Sequence, residues 1–302
     1  MGVVSRAPWA PYYPFTGRVL DIGGHQMHFL DEGKGETVVM VHGNPTWSFY
    51  FREVVKALSG QYRCIVPDHI GMGLSDKPSE HVYNYTLSRR IDDLEALLEK
   101  VAPTGPVTLI VHDWGGMIGM GWAVRHHERV ARIVALNTGC FRLPERKSLP
   151  IPLAIARTRL GEYLIRGGNA FAGIAAYVCA VKGKLSPELR AAYIAPYSNW
   201  NDRVATLKFV QDIPLSPRDQ AWSAVLAVEE GLPFLRNVPM FLPWGMKDWV
   251  FDEEFLKGWI ARFPKAEAHR FEDCGHYLLE DAPEVIPMIS DFLARHPLAK
   301  SA

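Results

Sequence analysis

The sequence predicts an α/β fold: a mostly parallel central sheet flanked by helices, with a helical segment inserted between two of its strands. Three observations predict it. Short apolar β-runs alternate with amphipathic helical patterns, the signature of βαβ units and a parallel sheet. The alternation stops over residues 141–238, where helical patterns are punctuated by prolines such as Pro144, Pro150 and Pro152 and no β-run stands out. It then resumes and runs to the C-terminus. A chain of 302 residues with 48% apolar and 22% charged side chains is an ordinary globular composition.

The elements follow in order. Residues 17–22 and 25–31 flank Gly23-Gly24 and read as a hairpin. Strands are expected at 37–42, 63–67, 106–111 and 130–137, with helices at 47–58, 86–101 and 117–127 between them. Beyond the insertion come a strand at 239–245, a helix at 252–263, a strand at 266–271 and a final helix at 283–295. Residues 1–140 and 239–302 are thus expected to form the core, and 141–238 a helical cap above the carboxyl ends of the strands, where open α/β sheets bind ligands. Within the cap, the apolar stretch 169–181 is expected to be a helix lining a greasy pocket.

Bulk properties exclude several classes. Lys+Arg and Asp+Glu both number 33, so no net field favours nucleic acid or an anionic membrane. The longest uncharged stretch, 167–181, is too short to span a bilayer. Residues 1–15 lack the continuous apolar core of a signal peptide. Cys64, Cys140, Cys179 and Cys274 have no repeated spacing, which argues against a disulfide framework or a metal site and for free thiols in the cytoplasm. No cofactor is expected. His81, His112, His126 and His127 lack ligand spacing, and Asp68 to Ser75 lacks the spacing of a phosphate-binding loop.

The chemistry-bearing segment is Val107-Thr-Leu-Ile-Val-His-Asp-Trp-Gly-Gly116. An apolar β-run enters a Gly-bounded turn, and an apolar helix follows. That context lifts one side chain clear of the sheet edge as a nucleophile, and here the side chain is a carboxylate, Asp113. Aspartate is ionised at neutral pH and needs no base to activate it. The competing reading, in which Asp113 caps the following helix, leaves its partners unexplained. His42-Gly-Asn-Pro45 ends the first parallel strand, and its amides and the Asn44 side chain suit an anion-binding turn. Trp244-Gly-Met-Lys-Asp248 and Asp273-Cys-Gly-His276 end two later strands. The chain order of nucleophile, acid and histidine (Asp113, Asp248, His276) is that of an α/β-hydrolase fold. Asp248 would hold His276 in one tautomer. Asn44 and Trp114 supply two neutral N–H donors suited to a departing anion.

These residues resemble the haloalkane-dehalogenase group of the α/β-hydrolases. The likeness rests on His42-Gly-Asn-Pro45 with Trp47-Ser-Phe-Tyr50, Asp68 through Pro78, His112-Asp-Trp-Gly-Gly116 and Gly275-His276. The resemblance implies an aspartate that forms an alkyl ester, a histidine that activates water, and a halide held by Asn44 and Trp114. Some members place the acid as Glu after the strand following the elbow helix. Here that place reads Leu136-Asn-Thr-Gly139, which leaves the role to Asp248. Tyr85-Thr-Leu-Ser-Arg-Arg-Ile-Asp-Asp-Leu94 and the cap stretch from Ala195-Pro-Tyr-Ser-Asn-Trp200 through Phe209-Val-Gln-Asp-Ile-Pro-Leu215 resemble one branch, the β-lactone decarboxylases of bacterial long-chain olefin biosynthesis. That branch implies conversion of cis-3-alkyl-4-alkyloxetan-2-ones to cis-alkenes and CO2. It also implies a hydrophobic substrate with long alkyl chains and association with a β-lactone synthetase and a ketone reductase of the same pathway. The dehalogenase reading stands second. An epoxide hydrolase stands third and would need two cap tyrosines from Tyr163, Tyr177, Tyr193 and Tyr197.

Overall fold

A computed structural model describes residues 7–298; the expectations for the first six and last four residues lie outside it. Strands β1 (Arg18–Ile22) and β2 (His25–Glu32) form the hairpin, with Arg18 opposite Phe29 and Ile22 opposite His25. Gly23 and Gly24 both turn at positive φ, as a two-residue hairpin loop of matching twist requires. Then come β3 (Glu36–Val41), a 3-10 turn at Ser48–Phe51 that runs into α1 (Arg52–Leu58), β4 (Tyr62–Pro67), α2 (Leu87–Val101), β5 (Val107–Asp113), α3 (Trp114–Arg125) and β6 (Val130–Thr138). Thr86 caps α2 by accepting from the Arg89 amide at 3.3 Å.

Between β6 and the next strand the described residues form only helices and loops. The helices are α4 (Ile151–Ala156), α5 (Arg159–Glu162) with a π-turn at Tyr163–Gly167, α6 (Ala170–Val178), α7 (Pro187–Ile194), α8 (Val204–Gln211) and α9 (Trp222–Gly231). The chain finishes with β7 (Met240–Gly245), α10 (Glu253–Arg262), β8 (Glu267–Phe271), α11 (Leu278–Asp281) and α12 (Val285–Arg295). The eight strands form one sheet in the order β1-β2-β4-β3-β5-β6-β7-β8. β2 is antiparallel to β1 and β4, and every other pair is parallel. Among the described residues no helix is long and apolar enough to cross a membrane.

The sheet divides the core in two. Val39 and Val41 of β3, Leu109 and Val111 of β5, and Ile133 and Ala135 of β6 face one apolar layer. Val38, Met40, Ile110, Val134 and Leu136 face the other. Both faces are covered, so β5 is buried along its whole length and carries no polar alternation.

Among the boundaries that differ from the sequence reading, two bear on the site. β5 runs on through Asp113, and α3 begins at Trp114 rather than Met117. The Gly115-Gly116 pair suggested a loop, but both residues are helical. A Cβ on Gly115 would overlap the Val41 carbonyl, and one on Gly116 would overlap Thr138 Oγ1. The start of α3 is therefore wedged between the ends of β3 and β6, and glycine is what lets it fit. The predicted helix 47–58 is also shorter, because Trp47 is extended and the next turn is 3-10.

Candidate active site

With no loop between β5 and α3, the chain must reverse within one residue. Asp113 does so at φ +52°, ψ −127°. That region costs a non-glycine residue about 1–3 kcal/mol and persists only where surroundings enforce it. Here Thr138 Oγ1 donates to the Asp113 carbonyl, and the glycine pair anchors the helix behind it. Asp113 occupies the N-cap position, yet its side chain caps nothing. Instead Oδ1 accepts the Asn44 backbone N–H at 2.6 Å. A Cβ on Gly43 would collide with that carboxylate, so the turn after β3 needs glycine to approach it. Burial pushes the Asp113 pKa up to about 6, against the His276 charge and the Asn44 and Trp114 amides, which favour the anion.

The structure brings the three candidate triad residues together. His276, in the turn after β8, points Nδ1 at Asp248 Oδ2 (2.7 Å) and Nε2 at Asp113 Oδ2 (3.6 Å). The other Asp248 oxygen accepts the Val250 and Phe251 amides at 2.8 and 3.1 Å, which fixes the carboxylate. With Nδ1 facing a carboxylate it is the protonated nitrogen, leaving Nε2 toward Asp113. Burial alone would lower the His276 pKa; the Asp248 charge and hydrogen bond, joined by Asp113, outweigh it and raise it. Phe251 stacks on the imidazole at 5.9 Å and 15°.

Two neighbours were not legible as part of the site. His112, set aside for lacking metal spacing, lies 2.9 Å through Nε2 from the His276 carbonyl. Burial, helped by the nearby His276 charge, holds its pKa well below the usual imidazole value, so it is neutral. Its place immediately before Asp113 was the available signal. Asn137, at φ +34°, brackets Gly245: its Oδ1 accepts the Gly245 amide at 2.8 Å and its Nδ2 donates to the Gly245 carbonyl at 2.9 Å. Asn137 thus ties β6 to the strand leading to Asp248.

Asn44 and Trp114 flank the carboxylate at the floor of a cavity of about 660 Å³. One Asn44 Nδ2 hydrogen goes to the Thr206 carbonyl of α8 at 3.0 Å, which leaves the amide a second N–H. The Trp114 ring packs on Phe209, also of α8, at 5.4 Å. The cavity walls are apolar side chains of α3 to α6, among them Met117, Leu153, Ile165 and Ala175. At the rim, Lys147 donates to Asp252 and to the Trp249 carbonyl. No tyrosine lines the cavity among the described residues. Tyr163 and Tyr177 are exposed, Tyr193 bonds Glu280, and Tyr197 is 3.4 Å from the Thr46 carbonyl. The geometry therefore gives no support to the epoxide-hydrolase reading. All four cysteines are buried, and burial raises each thiol pKa, to about 12 at Cys64 and Cys274.

Residues 36–283 match the family described as the alpha/beta hydrolase fold. The chain belongs to the α/β-hydrolase fold family. Within that family it is 52% identical over 282 residues to a protein of Shewanella oneidensis named cis-3-alkyl-4-alkyloxetan-2-one decarboxylase, covering 93% of this chain and 89% of the relative. A protein of the same name from Xanthomonas campestris pv. campestris is 50% identical over 298 residues, covering 95% and 99%. A haloalkane dehalogenase of Mycobacterium marinum is more distant, at 31% over 290 residues, covering 92% and 93%. Among solved structures, the haloalkane dehalogenase DatA of Agrobacterium tumefaciens superposes with a TM-score of 0.82 at 24% identity, over 93% of this chain and 97% of that one. That likeness speaks for the fold.

Proposed function

We propose that this α/β-hydrolase is a β-lactone decarboxylase acting on cis-3-alkyl-4-alkyloxetan-2-ones, with Asp113 as the carbon nucleophile. The observation that carries the reading is the 50–52% identity, over nearly the whole chain, to two proteins of that name. The geometry supports it. Asp113, Asn44, Trp114 and His276 all line one apolar cavity, a setting that suits a neutral, greasy substrate that expels an anion. The helices of residues 141–238 act as the cap that closes this cavity over long alkyl arms.

The steps balance without water. Asp113 attacks the ring carbon bearing oxygen, inverting it; the C–O bond breaks and the ring oxygen leaves as a carboxylate, which Asn44 and Trp114 receive. The C–C bond to that carboxylate then breaks, its electron pair forms the alkene, and the Asp113–carbon bond breaks to restore the carboxylate. CO2 departs. Inversion followed by anti elimination is an overall syn loss, so a cis ring yields a cis alkene. His276, held by Asp248 with Nε2 toward Asp113, stabilises the aspartate as it leaves and has no water to activate. The same reading puts the enzyme in the cytoplasm, in olefin biosynthesis, beside the enzymes that make the lactone.

The test supplies a long-chain cis-β-lactone and a 1-bromoalkane side by side. Cis-alkene with CO2, at a rate well above bromide release, is the expected result. Bromide and alcohol from the haloalkane, with the lactone untouched, would establish the dehalogenase reading instead.

A further inference from the structure

Two of the stretches that resemble the decarboxylase branch, 85–94 and 209–215, meet in the fold at a buried ion pair. Arg90 of α2 is 1% exposed, and its Nη1 lies 3.2 Å from Asp212 Oδ2, just past the end of α8. The same Asp212 oxygen accepts the Leu87 amide, the first of α2, at 2.6 Å. The Arg90 guanidinium also lies over the Phe209 ring, 3.7 Å from its centroid. Arg90 thus holds α8 twice, by charge at its end and by cation–π contact along its side.

This pair is a poor device for stability alone. Arg90 Nε and Nη2 are buried without a partner, and desolvating an ion pair offsets much of its attraction. Its value lies in what α8 carries. Thr206, on that helix, accepts the Asn44 side-chain N–H, and Phe209 packs on the Trp114 ring. Both donors assigned to the expelled anion are therefore oriented by one short helix. Gly71 shows how closely that helix is seated, since a Cβ there would overlap Ala205.

We propose that Arg90 and Asp212 are positioning residues for the leaving-anion cradle: by fixing α8 against α2 they set the directions of the Asn44 amide and the Trp114 indole. The inference rests on the functional reading above, in which those two groups receive the carboxylate. Arg90 touches no reacting atom. Its effect passes through Phe209 and Thr206.

The experiment uses the full-length enzyme and the double variant R90M/D212L, which replaces the pair by apolar side chains of similar bulk and leaves no buried charge behind. Inorganic bromide, titrated by calorimetry, probes the cradle independently of any lactone chemistry; the Tm monitors the fold. The variant is expected to keep a Tm within a few degrees of the parent while losing about tenfold or more in bromide affinity and in kcat on the lactone, with KM little changed. R90K, which keeps the charge, should recover part of both losses. A double variant that folds and binds bromide within twofold of the parent overturns the proposal, as does a parent enzyme that binds no bromide. If the double variant fails to fold, D212N replaces it, judged by the same bromide criterion. A parent that binds bromide but leaves the lactone unchanged would refute the decarboxylase reading while leaving the cradle test intact.

Discussion

At the residue scale, one carboxylate, Asp113, sits on a strained turn and out of water. With a pKa near 6, Asp113 is mostly ionised at pH 7.5 and mostly protonated at pH 5. The expected kcat/KM profile on the lactone therefore has an acid limb near pH 6, falling about tenfold per unit below it. A profile flat down to pH 4.5 would contradict an anionic nucleophile with this environment. The same shift has a stability consequence. A carboxyl whose folded pKa exceeds its unfolded value favours folding when protonated, and that contribution is lost as pH rises through about 6. Asp113→Asn, which tolerates the positive φ, is expected to raise Tm by roughly 2–4 °C at pH 7.5. The gain should shrink as pH falls and vanish below about 4, as differential scanning calorimetry at several pH values would show. His276 separates the two chemistries. His276→Gln is expected to stop at an Asp113 ester with a bromoalkane, detectable by intact mass, because water goes unactivated; with the lactone it should slow alkene release without abolishing it, because that ester still breaks down by loss of CO2. The residue types and chain order of Asp113, Asp248 and His276 were legible in the sequence, since each ends a recognisable strand. His112 and Asn137 were not, because their roles are bonds to backbone carbonyls and amides that no spacing encodes.

At the element scale, glycines decide where Asp113 stands. The sequence reading places Gly115-Gly116 in the turn ahead of the helix, a place that glycine's poor helix propensity favours. Steric exclusion by Val41 overrides that propensity. Gly115→Ala is expected to cost about 3 kcal/mol or more, since its Cβ meets backbone that cannot yield. Gly173→Ala, in open space on α6, should be neutral or slightly stabilising. Chemical denaturation of the two variants checks the contrast, and equal losses would mean that the packing at α3 is not the constraint. The two-layer core was legible for a related reason. Continuous apolar runs such as 107–111 need both faces covered, which implies helices on each side. The helices after Phe141 were legible only as a class: short, proline-interrupted turns leave no periodicity from which to place α4, α5 or the π-turn.

At the scale of the whole molecule, the parallel sheet delivers three strand ends to one edge, and the helices of 141–238 set an apolar chamber above them. Such a chamber suits a reaction that uses neither water nor an external proton. Run in D2O, the enzyme is expected to give alkene without vinylic deuterium, because no carbon is protonated on the way. Mass spectrometry of the alkene checks this, and deuterium at the double bond would require a carbanion that picks up a proton. The overall family resemblance was legible because it rests on four strand-end motifs. How α8 bridges Asn44 and Trp114 was not, since it joins residues some 160 positions apart in the chain.

Nucleophilic attack by Asp113 is tested most directly by comparing wild type with Asp113→Ala on a long-chain cis-β-lactone, scoring cis-alkene by gas chromatography with Tm as a control for folding. Covalent catalysis by this carboxylate predicts a folded variant whose alkene formation falls by at least about a thousandfold. A folded Asp113→Ala enzyme that still makes cis-alkene at the parent rate would contradict it.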